Sequence, residues 1–266
     1  MAGYIHGETS PAEVARLEKQ ARFAARWLLE GVEAGPGARV LDLPVGTGAM
    51  ARRLRARLPD VQLFGADLSR GQLKAARGFM RTPDERFPLV NANATELPFR
   101  DGTFDLVNSD WFLEHVPTQS VVPILREVRR VLAPGANLWL CEVDNDSLSF
   151  WPRLPLAERC FDALWEAQAR AGGDPIVGRK LYGLLMRAGF GRATIFPTTM
   201  HTHAGSPAGL FRGSLVEFAE ILVGAQAALP PDLRPRAAEA ARTLLDLEHT
   251  EGASFTYSFF RARADR

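Results

Sequence analysis

Between residues 39 and 141, five short β-rich runs alternate with helical stretches, and this alternation limits the possible folds more than any other feature of the chain. The runs are 39–43, 61–66, 87–91, 104–108 and 137–141. Helical patterns lie between them: one at 49–58, one starting at Ser69, and one starting at Thr118 and ending before Pro134-Gly135. Strands separated by helices predict a parallel sheet covered by helices on both faces. The rhythm breaks over 144–182, where Trp151, Pro152 and Pro155 precede a helical stretch through Phe161, Leu164 and Trp165. It resumes with a helix at 179–188 and a strand at 192–197. Two further helical stretches, 209–228 and 232–248, flank Pro230-Pro231, and 254–259 alternates polar and apolar residues as a last strand. Upstream, Ser10-Pro11-Ala12-Glu13 has the form of a helix start, followed by an apolar stripe of Val14, Leu17, Ala21, Ala24 and Leu28.

The first strand runs directly into Pro44-Val45-Gly46-Thr47-Gly48 and then a helix. Glycines in such a turn let backbone approach a ligand where a side chain would clash. The crevice beyond the carboxyl ends of parallel strands is where these sheets bind ligands. Asp67 ends the second strand, about 20 residues on, and a carboxylate there can accept hydrogen bonds from both hydroxyls of a ribose. No Lys-Ser/Thr pair follows the turn, so it is not a phosphate loop. The full GxGxxG expected of a dinucleotide site is also absent.

At this point the sequence resembles a known family. VLDLPVGTGAMARRL is similar to the first motif of class I S-adenosylmethionine (SAM)-dependent methyltransferases, and GADLSRGQLKAAR to their second segment. NANATELPFRDGTFDLV, WFLEHVP, REVRRVLAPGANLWL and LLMRAGF follow in family order and cover roughly 39–196. The nearest branch is the ubiquinone/menaquinone-biosynthesis-like one (methyltransferase type 11). The resemblance implies a Rossmann-like α/β three-layer sandwich, with a seven-stranded, mostly parallel sheet whose last strand is antiparallel. It divides the chain into an N-terminal helical lid at 1–34 and a methyltransferase domain at 35–266, with substrate-lid inserts near 144–182 and 205–250.

The resemblance also implies roles for residues. Gly46 and Gly48 face the methionine part of SAM, and Asp42 supports the turn. Asp67 holds the ribose hydroxyls while Leu68 packs on the adenine, which Asn93 and Ala94 read. Ser109, Asp110 and Trp111 line the sulfonium. The N-terminal segment YIHGETSPAEVARLEKQA places Tyr4 near the cofactor and Arg16 near its carboxylate; otherwise this is an ordinary amphipathic helix with an exposed arginine. Two positions depart from the family pattern. Pro44 replaces a glycine, which fits only where φ is negative and no N–H is needed. Asn93 replaces an aspartate but keeps a carbonyl acceptor.

Methyl transfer from a sulfonium is an in-line displacement on an activated carbon, so positioning and exclusion of water carry most of the catalysis. His115, after the fourth strand, is the expected base or orienter; the alternative is a histidine that packs and bonds locally. Asp144, Trp151 and Arg179 are the expected acceptor contacts. Glu142 and Asp146 either orient a polar acceptor or cap a loop. His201 and His203 form an H-x-H pair with no third ligand nearby in sequence, so no metal is expected.

Composition narrows the partners. The net charge of +1 gives no electrostatic footprint for nucleic acid or an anionic membrane. Cys141 and Cys160 form neither a CxxC pair nor a disulfide framework. With no signal-peptide core and no spanning apolar run, a cytoplasmic protein is expected, without membrane insertion and as a monomer or homodimer. The function expected is methyl transfer from SAM to O, C or N of a small-molecule acceptor, in secondary-metabolite or quinone-type biosynthesis. The alternatives are a SAM-binding, non-methylating protein such as a cyclase and, more remotely, an NAD-dependent oxidoreductase.

Overall fold

The computed structural model describes residues 10–80, 86–207 and 209–266. A seven-stranded sheet forms its centre, built from β1 (Arg39–Asp42), β2 (Gln62–Asp67), β3 (Leu89–Asn91), β4 (Phe104–Asp110), β5 (Leu132–Trp151), β6 (Arg192–His203) and β7 (Ser254–Asp265). Their spatial order is β3-β2-β1-β4-β5-β7-β6, and only β7 runs antiparallel to its neighbours. This is the Rossmann-like arrangement expected, antiparallel last strand included. The helices are α1 (Pro11–Leu28), α2 (Ala49–Arg57), α3 (Arg70–Phe79), α4 (Thr118–Val131), α5 (Pro155–Arg170), α6 (Leu181–Ala188), α7 (Leu210–Gly224) and α8 (Ala237–Asp246). None is long and apolar enough to cross a membrane, among the described residues.

Three strands depart from the expected bounds. β5 continues ten residues past Cys141, β6 six past Pro197, and β7 six past Phe259; β6 and β7 pair along their full lengths, and β5 pairs with β7 from Asn137 to Trp151. Antiparallel pairing between β5 and β7 resumes beyond a register shift at Asp144/Ser149, which carries the strand to Trp151 through a segment that reads as loop. This long half of the sheet projects past the ends of β1, β2 and β4. Its outer portion packs against α5, α7 and α8 through a ring cluster: Phe218 lies 5.0 Å from both Phe255 and Tyr257, and Phe161 stacks on Trp165 at 5.7 Å.

α1 starts as its sequence directs. Ser10 accepts from the Glu13 N–H at 3.1 Å, and Pro11 occupies the first turn. Its apolar stripe holds at Ala21, Ala24 and Leu28. One turn earlier the buried positions are Glu13 and Arg16, whereas Val14 and Leu17 are only half-buried. Ion pairing with α7, invisible to periodicity, sets the rotation of that end.

Candidate functional site

The order in which strands are added switches side at β1: β2 lies on one flank and β4 on the other, all three parallel. A cavity of about 980 Å³ opens beyond the carboxyl ends of these strands, where parallel sheets bind ligands. Its floor is backbone. The Val45 N–H donates to the Ala66 carbonyl at 2.9 Å, which ties the turn after β1 to the end of β2. Gly46 and Gly48 take φ of +51° and +74°, the left-handed values glycine tolerates. Pro44 joins Leu43 through a cis peptide bond and is not among the positive-φ residues, so the substitution leaves the glycine-dependent corners intact. Gly46 lines the cavity, and nothing stands within 4 Å of where its Cβ would be. Gly65 is required for another reason. A Cβ there would lie 2.7 Å from the Val45 side chain and 2.8 Å from Leu89, so its absence lets the turn sit down on β2.

Three carboxylates border this floor: Asp42, Asp67 and Asp110. Asp67 accepts from the Gly46 N–H at 2.9 Å and the Ser69 N–H at 2.7 Å, one bond to each oxygen. Each oxygen keeps a lone pair for a further donor. Burial pushes the Asp67 carboxyl up, opposed by the backbone bonds from Ser69 and Gly46. Asn108 bridges the other two, donating to Asp42 Oδ1 at 3.2 Å and Asp110 Oδ2 at 2.8 Å. Burial and then the Asp110 charge raise Asp42 to about 8, against the Asn108 bond. Burial raises Asp110 to about 7, again against Asn108. Asp42 Oδ2 is buried without a partner. Acid groups crowded together and short of donors are answered by a ligand carrying cations and hydroxyls. A SAM molecule has that donor set: a sulfonium, an ammonium and a ribose diol.

Away from the floor the walls turn aromatic. Trp111, Phe112, Trp165, Phe218 and Phe259 line them, with Met200 and Tyr257. Trp111 adopts φ +50°, an uncommon value for a bulky residue, and its buried indole N–H has no partner. Immediately after it, Glu142 at the end of the parallel part of β5 accepts from the Phe112 and Leu113 N–H groups at 3.0 and 2.8 Å. Burial and the Glu114 charge raise the Glu142 carboxyl well above the usual range. Glu142 thereby caps the short 3-10 turn Leu113–His115 that presents Glu114 and His115 to the cavity.

Those two residues join a polar strip. Gln168 donates to Glu114 Oε2 at 2.9 Å, the Tyr257 hydroxyl donates to Asn145 Oδ1 at 2.7 Å, and Asn145 Nδ2 reaches Glu114 Oε2 at 3.5 Å. His115 Nε2 lies 3.5 Å from Glu114 Oε1. Burial, then the Glu114 charge, raises the Tyr257 hydroxyl well above its usual value.

α1 closes the roof. Arg16 forms a two-point bond with Glu13, at 2.9 and 2.8 Å, and reaches Glu217 of α7 at 3.1 Å, which Gln20 also meets at 2.7 Å. Glu18 pairs with Arg52 and Arg53 of α2. The helix is thus pinned to both halves of the cavity. Burial raises the Glu217 carboxyl to about 7, although the Arg16 charge opposes the shift.

Of the residues singled out in the sequence, the cavity gathers Arg16, Asp42, Pro44, Gly46, Asp67, Asp110, Trp111 and His115. Gly48 caps α2 beneath the turn, and Ser109 is buried in β4. Leu68, 58% exposed, and Asn93 and Ala94 sit on the loops after β2 and β3, at the same edge but off the cavity wall. Asn93 Oδ1 accepts from the Thr95 N–H at 3.1 Å. Asp144 and Arg179 pair with each other at 2.7 Å, and Trp151 is 64% exposed; none of these three lines the cavity. Asp146 joins the Arg179 pair at 3.4 Å. Tyr4 lies outside the described residues. His201 bonds Thr256 at 2.8 Å and His203 accepts from the Gly205 N–H at 3.1 Å; among the described residues no group of three or more His, Cys, Asp or Glu is placed to hold a metal. Asn108, Asn145, Gln168, Glu217 and Tyr257 carry no motif and emerge only from the folded chain; Glu114 lies within WFLEHVP, but its part in the polar strip is not read from the motif.

Known proteins agree with this geometry. Residues 40–135 match the family model described as a methyltransferase domain. The YcgJ protein of Bacillus subtilis superposes with a TM-score of 0.59 at 16% identity, over 92% of this chain and 98% of that one. The phosphoethanolamine N-methyltransferase 2 of Haemonchus contortus, in complex with S-adenosylhomocysteine, gives 0.54 at 16% identity over 95% and 52%. The fold is that of the class I SAM-dependent methyltransferases. Sequence relatives point the same way. A 37.1 kDa protein in transposon TN4556 of Streptomyces fradiae is 32% identical over 75% of this chain and 58% of its own. A demethylmenaquinone methyltransferase of Clavibacter sepedonicus is 36% identical over 50% of each. The chain spans about half the length of the curated relatives it matches. In this methyltransferase fold, motif and cavity coincide: the matched segment contains the glycine turn, Asp67 and the whole 3-10 turn with His115.

Proposed function

We infer that this protein transfers a methyl group from SAM to a small-molecule acceptor. One observation carries the reading: a single cavity joins a glycine-backed, carboxylate-rich floor to an aromatic chamber bearing a histidine. At about 980 Å³ it lies at the upper end of ligand pockets, which run to roughly 1,000 Å³, and so has room for a cofactor together with a modest acceptor. Asp67 would hold the ribose. Gly46 would admit the methionine portion against bare backbone, and Asp42, Asp110 and Trp111 would surround the charged centre. Leu68, Asn93 and Ala94 flank the adenine end, and Arg16 faces the cofactor from the roof. When bound, SAM supplies a methyl already activated by its sulfonium.

The chain's own residues position and desolvate. The aromatic walls and α1 exclude water, and the polar strip orients the acceptor. His115 takes a proton from the attacking heteroatom where the acceptor must lose one. Relatives named as demethylmenaquinone and phosphoethanolamine N-methyltransferases support a small-molecule substrate. Free buried thiols at Cys141 and Cys160 suit a reducing, cytoplasmic setting. The test is incubation with SAM and an acceptor panel, with S-adenosylhomocysteine as the readout. SAM binding with no S-adenosylhomocysteine formed on any acceptor favours a non-methylating role, such as that of the [4+2]-cyclase SpnF, which shares the fold at TM-score 0.54 and 21% identity over 94% of this chain and 81% of that one.

A further inference from the structure

Glu114, in the 3-10 turn after β4, lines the cavity with a side chain only 9% exposed. Among the described residues no lysine or arginine pairs with it. Its carboxylate takes neutral amide donors, Gln168 Nε2 at 2.9 Å and Asn145 Nδ2 at 3.5 Å, and the one chargeable group beside it is His115, with Nε2 at 3.5 Å. The turn is clamped in place. Its Glu114 carbonyl accepts from the Asp174 N–H at 2.9 Å and Gln168 Nε2 at 3.2 Å, and a Cβ on Gly173 would come within 2.3 Å of the same oxygen. Amides share out a buried negative charge without neutralising it, and a cation on a bound ligand would do so.

The surroundings select the kind of cation. Trp165 lies one helical turn before Gln168 on the same face of α5, Tyr257 bonds the Asn145 that reaches Glu114, and Phe112 precedes Glu114 by two residues; all three rings line the cavity. A carboxylate set among aromatic rings suits an organic ammonium ion, which gains from both the charge and the ring faces. The negative field reaches across the chamber: after burial, the Glu114 charge is the next largest cause pushing up both Glu142 and Tyr257. Glu217 faces the same cavity, and the only lysine or arginine among the described lining residues is Arg16, engaged with Glu13 and Glu217. An acceptor carrying a carboxylate would meet like charge here.

Resting on the methyltransferase reading, we propose that the acceptor is an aromatic amine that enters as its ammonium ion, and that the Glu114 carboxylate anchors that nitrogen. Glu114 is then the residue that sets acceptor specificity. The test titrates 1-naphthylmethylamine, 1-naphthalenemethanol and 1-naphthoate by calorimetry near pH 7 into protein saturated with S-adenosylhomocysteine. The amine should bind at least about 10-fold more tightly than the alcohol of the same shape, and the naphthoate more weakly than either. In Glu114→Gln, which keeps an acceptor for Gln168, the amine-to-alcohol ratio should fall to about 1 with S-adenosylhomocysteine affinity unchanged; the wild-type panel decides alone where that variant does not fold. Alcohol or naphthoate binding as tightly as the amine overturns the proposal. So does a ratio preserved in Glu114→Gln, or no binding by any of the three. Failure of SAM and S-adenosylhomocysteine themselves to bind overturns the underlying reading instead.

Discussion

Replacing Asp42 with asparagine should stabilise the ligand-free protein and weaken its grip on SAM. The Asp42 side chain is buried, one of its oxygens lacks a partner, and burial with the Asp110 charge raises its carboxyl to about 8 from an ordinary 3.8. The native state therefore binds this proton more tightly than the unfolded chain does. The associated stability is fully present below about pH 4 and is lost as pH rises through about 8. Each unit of difference corresponds to about 1.4 kcal/mol, so at pH 8, with partial relaxation of the site, the carboxylate costs the native state about 2–4 kcal/mol. Asparagine is nearly isosteric and never ionises, so the Asp42→Asn protein escapes that loss. For a chain of this size the gain is a Tm increase on the order of 5–10 °C near pH 8, shrinking to almost nothing near pH 4. SAM affinity should fall by about 10-fold or more, because the anion that answers the cofactor's cations is gone. Scanning calorimetry across pH and isothermal titration measure the two effects. An Asp42→Asn Tm at or below the parent's near pH 8 would refute the reasoning.

The same carboxylates make SAM binding release protons, since a cation beside Asp42 and Asp110 pulls down groups that sit at about 8 and about 7. Affinity should rise with pH across about 6 to 8, up to about tenfold per unit per coupled proton; equal heats in buffers of different ionisation enthalpy would count against this. Asp67→Ala should abolish measurable SAM binding with the fold intact, and unchanged affinity by calorimetry would remove Asp67 from the ribose. His115→Ala should lower turnover more than SAM affinity; equal turnover in mutant and parent defeats its assignment. Gly65→Ala should cost about 1–3 kcal/mol of stability and also weaken SAM binding, because the new methyl displaces Val45 and with it the glycine turn. An unchanged Tm would show that the turn has room.

The parallel half of the fold was legible because its chemistry is local. A buried parallel strand reads as a run of apolar residues, and the chain must then return through a helix, so β1 through β4 are written in periodicity alone. The antiparallel half was read short. Strand-length signals fail at Asp144, where the register shift lets Asn145 point into the cavity and the strand resume at Ser149. Nothing local marks Asp144–Ser149 as part of a strand; the pairing partner, more than a hundred residues on in β7, decides it. α1 shows the same limit. Its apolar stripe predicted Val14 and Leu17 inward, but Glu217 on α7, 201 residues from Arg16, turned Glu13 and Arg16 inward instead.

The site divides along the same line: most residues expected to meet the cofactor gather at the cavity floor, whereas Asp144, Trp151 and Arg179 do not line the cavity. The proposed SAM floor is largely backbone: a turn that needs glycines at fixed φ, and strand ends whose carboxylates come at fixed spacing, so its signature survives in linear order. The proposed acceptor chamber is lined by side chains from the 3-10 turn at 113–115, from β5, α5 and β7, which share no spacing. Asp144, Trp151 and Arg179 are expected there from their place after the fifth strand, in the insert and in a family-like segment, yet two of them neutralise each other and the third faces outward. Gln168 looked like one more polar position on α5. Only the packing of α5 against the 3-10 turn shows that its amide holds Glu114 through both the carboxylate and the backbone oxygen. The chamber's polar strip is therefore set by hydrogen bonds between residues far apart in the chain, which a linear pattern has no means to record.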